Sequence, residues 1–471
     1  MNRVLLFLLV VTVLILTNGC SLAPKYTQPV APMQTEWPQG EAYQSTQAAA
    51  EAPVVTELGR QEFFADAQLQ QIIELALENN RDLRLAALNV ERARAMYGIQ
   101  RAELFPAVNA VGAGSKQRQS VDLTTPGDPQ TVEQYGINLG IAAWEIDFFG
   151  RLRNLKDQAL EAYLATDEAR RSAQIALVGE LARAYLTLSA DEENRKLSQT
   201  TLETQQASYD LIQKSLDAGI VTELDLRQAQ IPLEVARGDI ARYTQLVAQD
   251  KNALNLLVGE TVTEELLPKD LSSITPPREI SAGLTSEVLL QRPDILAAEH
   301  QLKGAYASIG AARATFFPRI SLTTSIGTAS NELSGLFGSG TDTWTFAPQV
   351  NMPIFDARTW AAYRVSKTDR EIALTEYEKA IQVAFREVAD TLAIQGTIDQ
   401  QLSAQQALLV AVAETYRLSE IRYTQGLDSY LGVLNAQISR ISAQQGLITL
   451  RLTKFANRVR LYTVLGGGSS R

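Results

Sequence analysis

The chain has 471 residues, 45% of them hydrophobic, with ordinary glycine and proline counts, so it can bury more than one core and carries no stamp of disorder. Its formal net charge is −10, from 43 Lys and Arg against 53 Asp and Glu. With no long run of like charge, that balance argues against a nucleic-acid partner held through phosphate contacts.

The first twenty residues, MNRVLLFLLVVTVLILTNGC, place Arg3 before an apolar run from Val4 to Leu16, then small polar residues and the sole cysteine. This is the order of a cleaved export signal over residues 1–19. At about 1.5 Å of rise per residue the run falls short of a roughly 30 Å hydrocarbon layer, and no other stretch is apolar for long enough to cross as a helix. A single cysteine forms no internal disulfide. Cys20 resembles the acylated first residue of a bacterial lipoprotein, with Gly19 as the small residue before the cut, although Thr17 departs from the usual leucine. That resemblance implies no cofactor beyond covalent lipid, a diacylglycerol and an N-acyl chain on Cys20, and Ser21 in place of aspartate implies sorting to the outer membrane. An unmodified thiol after ordinary signal cleavage is the alternative.

From residue 61 the chain is written twice. Asp82, Phe105 and Pro106 of the first copy answer Asp294, Phe317 and Pro318 of the second. YDLIQKSLDAGIVTELDLRQAQI at 209–231 answers YRLSEIRYTQGLDSYLGVLNAQI at 416–438, every pairing offset by 207. Similarity at that distance is a duplicated structural half, far beyond a solenoid period. The expected domains are an extended N-terminal segment 20–60, repeats 61–258 and 285–466, a proline-bearing linker 259–284 and a tail 467–471.

Each repeat reads as a helix stopped at Leu-Phe-Pro or Phe-Phe-Pro, two strands, a very long helix, a glycine turn and a returning helix. The strands fall at about 107–148 and 319–355. Tyr135, Ile137, Leu139 and Ile141 alternate with Gly136, Asn138, Gly140 and Ala142; Trp344, Phe346, Val350, Met352 and Ile354 alternate with polar residues, as do Ile320, Leu322 and Ile326. One apolar and one polar face suit either a half-buried soluble sheet or tilted membrane strands of about ten residues. Pro348 and Pro353 push the fourth strand toward an edge or a bulge. Four strands do not close a barrel, so membrane strands require several chains, and three would give twelve strands.

No proline interrupts Arg151 to Leu216, a helix on the order of 100 Å long. Leu202, Tyr209 and Leu216, and Leu402, Leu409, Tyr416 and Tyr423, recur at sevens and predict left-handed coiled-coil packing. Gly219 and Gly426 suit the left-handed turn between helices, with Thr222 and Ser429 as caps of the helices that follow.

The order of these elements, with WEIDFFGRLR, PIFDAR, QRPDILAAE and YTQGLDSYLGVLNAQ, resembles the TolC family of outer-membrane efflux ducts, in its lipoprotein branch serving RND-type multidrug pumps. The resemblance covers Cys20 to about Gly466. It implies a mixed α and β fold: coiled-coil hairpins forming a periplasmic tunnel, and four amphipathic strands given to a trimeric twelve-stranded outer-membrane barrel. Implied partners are two further copies as a homotrimer, a periplasmic adaptor, an inner-membrane RND pump and outer-membrane lipid. The implied function is passive exit of drugs or other small toxic compounds through a gated periplasmic tip; a peptide or protein secretion duct, or a lipid-anchored coiled-coil adaptor, are the alternatives. Leu431 matches the apolar gate position. Asn435 stands where an aspartate is usual, and Gly432 replaces another acidic position, which implies weaker block by divalent cations unless Asp428 supplies the charge.

Each candidate also has a plainer reading. Leu431 packs in the seam, Asp225 completes a capping box with Thr222, Asp428 caps the turn, and Tyr423 continues the heptad. No enzyme is expected: His300 is the one histidine, GAGS at 112–115 lacks a phosphate-loop lysine, and no His/Cys cluster has metal-ligand spacing.

Overall fold

The computed structural model describes residues 21–46, 58–120, 122, 125, 130–282 and 285–467. Cys20 and the signal segment lie outside the described residues, as do residues 468–471 of the tail. The main elements are α1 (Ala67–Asn79), α2 (Arg81–Ala102), β1 (Val108–Arg118), β2 (Thr131–Ile146), α3 (Arg151–Asp217), α4 (Glu223–Val258), α5 (Pro293–Ala314), β3 (Arg319–Ser330), β4 (Asp342–Asn351), α6 (Ala357–Thr424) and α7 (Tyr430–Val464). No described helix is long and apolar enough to cross a membrane.

The chain divides into two compact units that interleave the repeats. One takes Met1–Val30, Asn89–Thr166 and Ala297–Tyr377; the other takes Ala31–Leu88, Asp167–Leu296 and Glu378–Arg471. The division cuts through α2, α3, α5 and α6, so compactness does not follow the repeat boundaries at 258 and 285.

The first unit holds an antiparallel sheet in the order β1-β2-β3-β4, with β1 and β4 as its edges. Its register builds the two faces. Ala110, Leu139, Ile326 and Trp344 lie in one row, and Val108, Ile141, Thr324 and Phe346 in the next. Leu139, Ile326, Trp344 and Phe346 are exposed on this apolar face. The opposite face carries Asn138, Ser325, Gln349 and Asn351. β4 is an edge strand with Pro348 in it, as the proline implied, but the bulge is elsewhere. It lies between Ile141 and Trp144 of β2, where Ala143 has φ 50° and its N–H donates to Thr323 Oγ1 at 3.1 Å. Ala142 and Ala143 there oppose the single residue Thr323 of β3, so the alternation restarts at Trp144.

The N-terminal residues are tied down within this unit. Ser21 Oγ bonds to Oδ1 of the buried Asn154 at 2.9 Å, Arg313 donates to the Leu22 carbonyl at 3.1 Å, and the Tyr26 hydroxyl donates to Glu299 at 2.8 Å.

The second unit has its core where α1, α3, α4 and α7 meet. Phe63, Ile72, Tyr185, Leu254 and Tyr462 are buried, and Phe63 stacks on Tyr462 with ring centroids 4.2 Å apart. Asp66 caps α1 by accepting the Leu69 N–H at 2.9 Å. The stretch expected as a linker is packed here: Val262, Leu267, Leu271, Ile274 and Ile280 are buried. Gly259, in the left-handed conformation, ends α4 before it, and its apolar residues at irregular intervals fill gaps no periodic pattern announces.

Candidate functional site

Both glycine turns lie in the second unit and are built alike. After α3, the Ile220 N–H bonds to the Ser215 carbonyl and the Gly219 N–H to that of Leu216. After α6, Leu427 bonds to Arg422 and Gly426 to Tyr423, the same Schellman pattern 207 residues on. Gly219 has φ +77° and Gly426 φ +70°, and a Cβ at either meets nothing within 4 Å. Backbone conformation alone therefore calls for glycine.

The helices restart differently. Thr222 and Asp225 form a full capping box: Asp225 N–H donates to Thr222 Oγ1 at 3.3 Å and Thr222 N–H to Asp225 Oδ2 at 2.9 Å. The Thr222 hydroxyl and N–H hold the Asp225 carboxyl below the usual range. Ser429 occupies the equivalent cap position, but its side chain makes no capping bond. Position three of that helix is Gly432, which offers no carboxylate to complete the box. Asp428 takes over, accepting the Ser429 N–H at 2.9 Å and Arg422 Nε at 3.2 Å, contacts that lower its pKa. Arg422 is a residue the sequence does not single out; only the turn brings it to Asp428.

Beneath the turns the hairpins share one cluster. Ile212, Leu226, Ala229, Tyr430, Val433 and Leu434 are buried, with Tyr209, Leu216, Val221, Tyr416 and Tyr423 packed against them. The heptad tyrosines and Leu216 thus form a seam. Tyr423 sits 5.2 Å from Tyr430, centroid to centroid, and burial, with the nearby Asp225 charge, raises its pKa. Leu431 is not in this seam: it is 47% exposed, and Asn435 is also exposed. Both stand on the face of α7 away from the buried Val433 and Leu434.

His300 Nδ1 lies 2.6 Å from Glu161 Oε2 in the first unit. Among the described residues no group of three or more His, Cys, Asp or Glu side chains could hold a metal ion.

A family profile described as outer membrane efflux protein matches residues 72–260 and 284–467. The toluene efflux pump outer membrane protein TtgC of Pseudomonas putida is 48% identical over 98% of this chain and 95% of its own. The crystal structure of a membrane protein from Pseudomonas aeruginosa matches with a TM-score of 0.88 and 38% identity over 95% of this chain and 100% of that one. The open state of the Neisseria gonorrhoeae MtrE outer membrane channel matches with a TM-score of 0.86 and 36% identity over 96% and 99%.

Proposed function

The chain belongs to the outer membrane efflux protein family, the TolC family, and from that membership we propose how its parts act. It is the outer-membrane channel of an RND-type efflux pump. Its cargo is small apolar or amphiphilic toxic compounds, of which toluene, in the relative's name, is an example. An inner-membrane RND pump supplies the energy and a periplasmic adaptor joins the two.

The four-stranded sheet carries this reading. It has an apolar face, a polar face and two edges, β1 and β4, with no further partner strand among the described residues. In lipid each unsatisfied backbone group costs several kcal/mol, so an open edge is not tolerated. Three copies joined β4 to β1 remove every edge and give a twelve-stranded barrel. Cys20 carries the diacylglycerol and N-acyl chain. Its neighbour Ser21 bonds to Asn154 in the first turn of α3, the helix that leaves β2, which supports an anchor close to the end of the sheet.

The tip is the gate. Three Leu431 side chains close the bore by excluding water and ions. Asn435 lies one turn further along α7 and adds no charge to the ring, and the nearest acids are engaged, Asp225 with Thr222 and Asp428 with Arg422. Tyr423 holds the closed packing from within the seam. Opening follows when the adaptor binds the outward-moved hairpins more tightly than the closed ones.

Co-expression with a cognate adaptor and pump, in a Gram-negative host deleted for its own efflux channels, tests this. Ethidium accumulation should fall and the chain should migrate as a heat-resistant trimer. Unchanged accumulation with the complete pump assembled in the membrane would sink the efflux assignment.

A further inference from the structure

The second unit carries a groove between α3 and α7, far along both helices from the glycine turns. Its cavity of about 540 Å³ is lined by Gly179, Arg183, Leu452, Asn457 and Val459, with Ile394 of α6. That volume is in the range of small-molecule sites. Leu181, Tyr185 and Leu188 of α3 are buried in the core. At about 3.6 residues per turn, Glu180, Arg183 and Thr187 fall on the other side of the helix, so the groove opens away from the core. A Cβ on Gly179 would come within 2.4 Å of Thr463 Cγ2, so the two helices touch there and only glycine permits it.

The lining gives the groove a chemistry. Arg183 and Arg460 are both exposed at the cavity, and neither forms an ion pair among the described residues. Other arginines of these helices are paired, Arg195 with Glu192, Arg451 with Glu193 and Arg458 with Glu279. Glu180 is the one acid in the lining, which therefore holds two cations to one anion. At the buried side stands Asn457, only 6% exposed. Its amide donates to the Thr391 carbonyl at 3.1 Å, which fixes the way the amide points, and its Oδ1 has no partner. A buried acceptor left unused is costly, and a donor brought by a ligand relieves that cost.

We propose that this groove binds an anionic amphiphile that carries a hydroxyl group. The anion sits on Arg183 and Arg460, the apolar body lies along Ile394, Leu452 and Val459, and the hydroxyl donates to Asn457 Oδ1. Guanidinium forks match a carboxylate or sulfate, and the apolar walls add the burial of the chain. The site belongs to a single chain; its use as a holding place for anionic cargo in the duct wall rests on the efflux function.

The test is isothermal titration calorimetry of the purified full chain in lipid nanodiscs, with empty nanodiscs as the blank and ω-hydroxydecanoate, decanoate and decanediol as probes. Ala176→Phe fills the groove from an exposed position, and Arg183→Gln combined with Arg460→Gln removes its charge. The hydroxy acid should bind wild type saturably at one site per chain, decanoate several-fold more weakly and the diol about tenfold more weakly, since ionic hydrogen bonds are the stronger ones. The double glutamine variant should lose about tenfold for the hydroxy acid and nothing for the diol, and Ala176→Phe should lose all three. Unchanged melting of both variants keeps a folding defect out of the comparison. Saturable heat that survives both variants overturns the proposal, because the acid then binds elsewhere. Heat no greater than the blank overturns it outright, and equal affinity for acid and diol overturns it because the arginines then select nothing. Decanoate binding as tightly as the hydroxy acid removes the part given to Asn457. No arm reads conduction, so failure here and failure of the duct reading are separate results.

Discussion

Replacing Arg292 with methionine should destabilise the second unit by a measurable and calculable amount. Arg292 opens the RPD motif and is only 9% exposed. Its guanidinium donates to both Asp294 oxygens at 3.0 and 2.7 Å, to Glu387 at 3.1 Å, and to the Val464 carbonyl at the end of α7 at 2.6 Å. Burial works against the charged form, and Asp294 and then Glu387 outweigh it, raising the arginine's pKa. Methionine keeps much of the volume but strands two carboxylates and a carbonyl. Breaking a buried pair from one side costs about 3–5 kcal/mol, and the partial exposure of Asp294 and Glu387 points to the lower end, about 3 kcal/mol. With about 2.1 cal/mol/K of unfolding entropy per residue, a chain of this length has about 1 kcal/mol/K, so Tm should fall by about 3 °C. Thermal melting followed by circular dichroism in detergent reads this directly. Arg292→Lys should fall between the two, keeping the charge and losing the two-pronged contact. A methionine variant melting within about 1 °C of wild type would refute the cost assigned to the stranded groups.

Three further outcomes follow from the same contacts. Gly426→Ala meets no atom, so its cost should be the left-handed backbone alone, about 1 kcal/mol, seen as faster proteolysis at the turn; a loss above about 3 kcal/mol would mean that packing, not φ, selects glycine. Thr222→Ala removes one half of the capping box and should cost about 1 kcal/mol, whereas Ser429→Ala, whose side chain caps nothing, should leave thermal stability unchanged. Asp191 on α3 and Asp250 on α4 face each other across the first hairpin; burial, then the Asp191 charge, pushes Asp250 up to about 6. The folded pKa lies above the unfolded one, so the folded chain holds the proton more tightly. The pair's contribution to stability therefore falls as pH rises from about 4 through about 6 and is level above. Asp250→Asn should remove that slope in a Tm series, and a constant difference from wild type across pH 4–8 would be the contrary result.

Much of this is legible in the sequence because the chain states it twice. Phe105-Pro106 and Phe317-Pro318 end helices by local stereochemistry, the strand faces follow from alternation, and the glycine turns follow from residue type. What stays hidden depends on distant partners. The bulge at Ala143 exists because Ile141 pairs with Thr324 and Trp144 with Leu322, a register set by another strand. Asp428's part at the second turn, accepting from the Ser429 N–H and from Arg422, depends on the arginine arriving across the turn. Leu431 stands open between seam and free face in the sequence because heptad counting does not say which side of a helix meets a second hairpin; the packing of Tyr430 and Val433 against Leu226 does. The packed stretch 262–280 reads as a linker because proline and charge mask its scattered apolar residues.

The central claim is that this chain forms a gated duct, and conductance of the purified full chain beside its Leu431→Ser variant tests it most directly. A small wild-type conductance that rises in the variant is the expected result. No channel in either sample, with insertion into the bilayer confirmed, would contradict the duct itself.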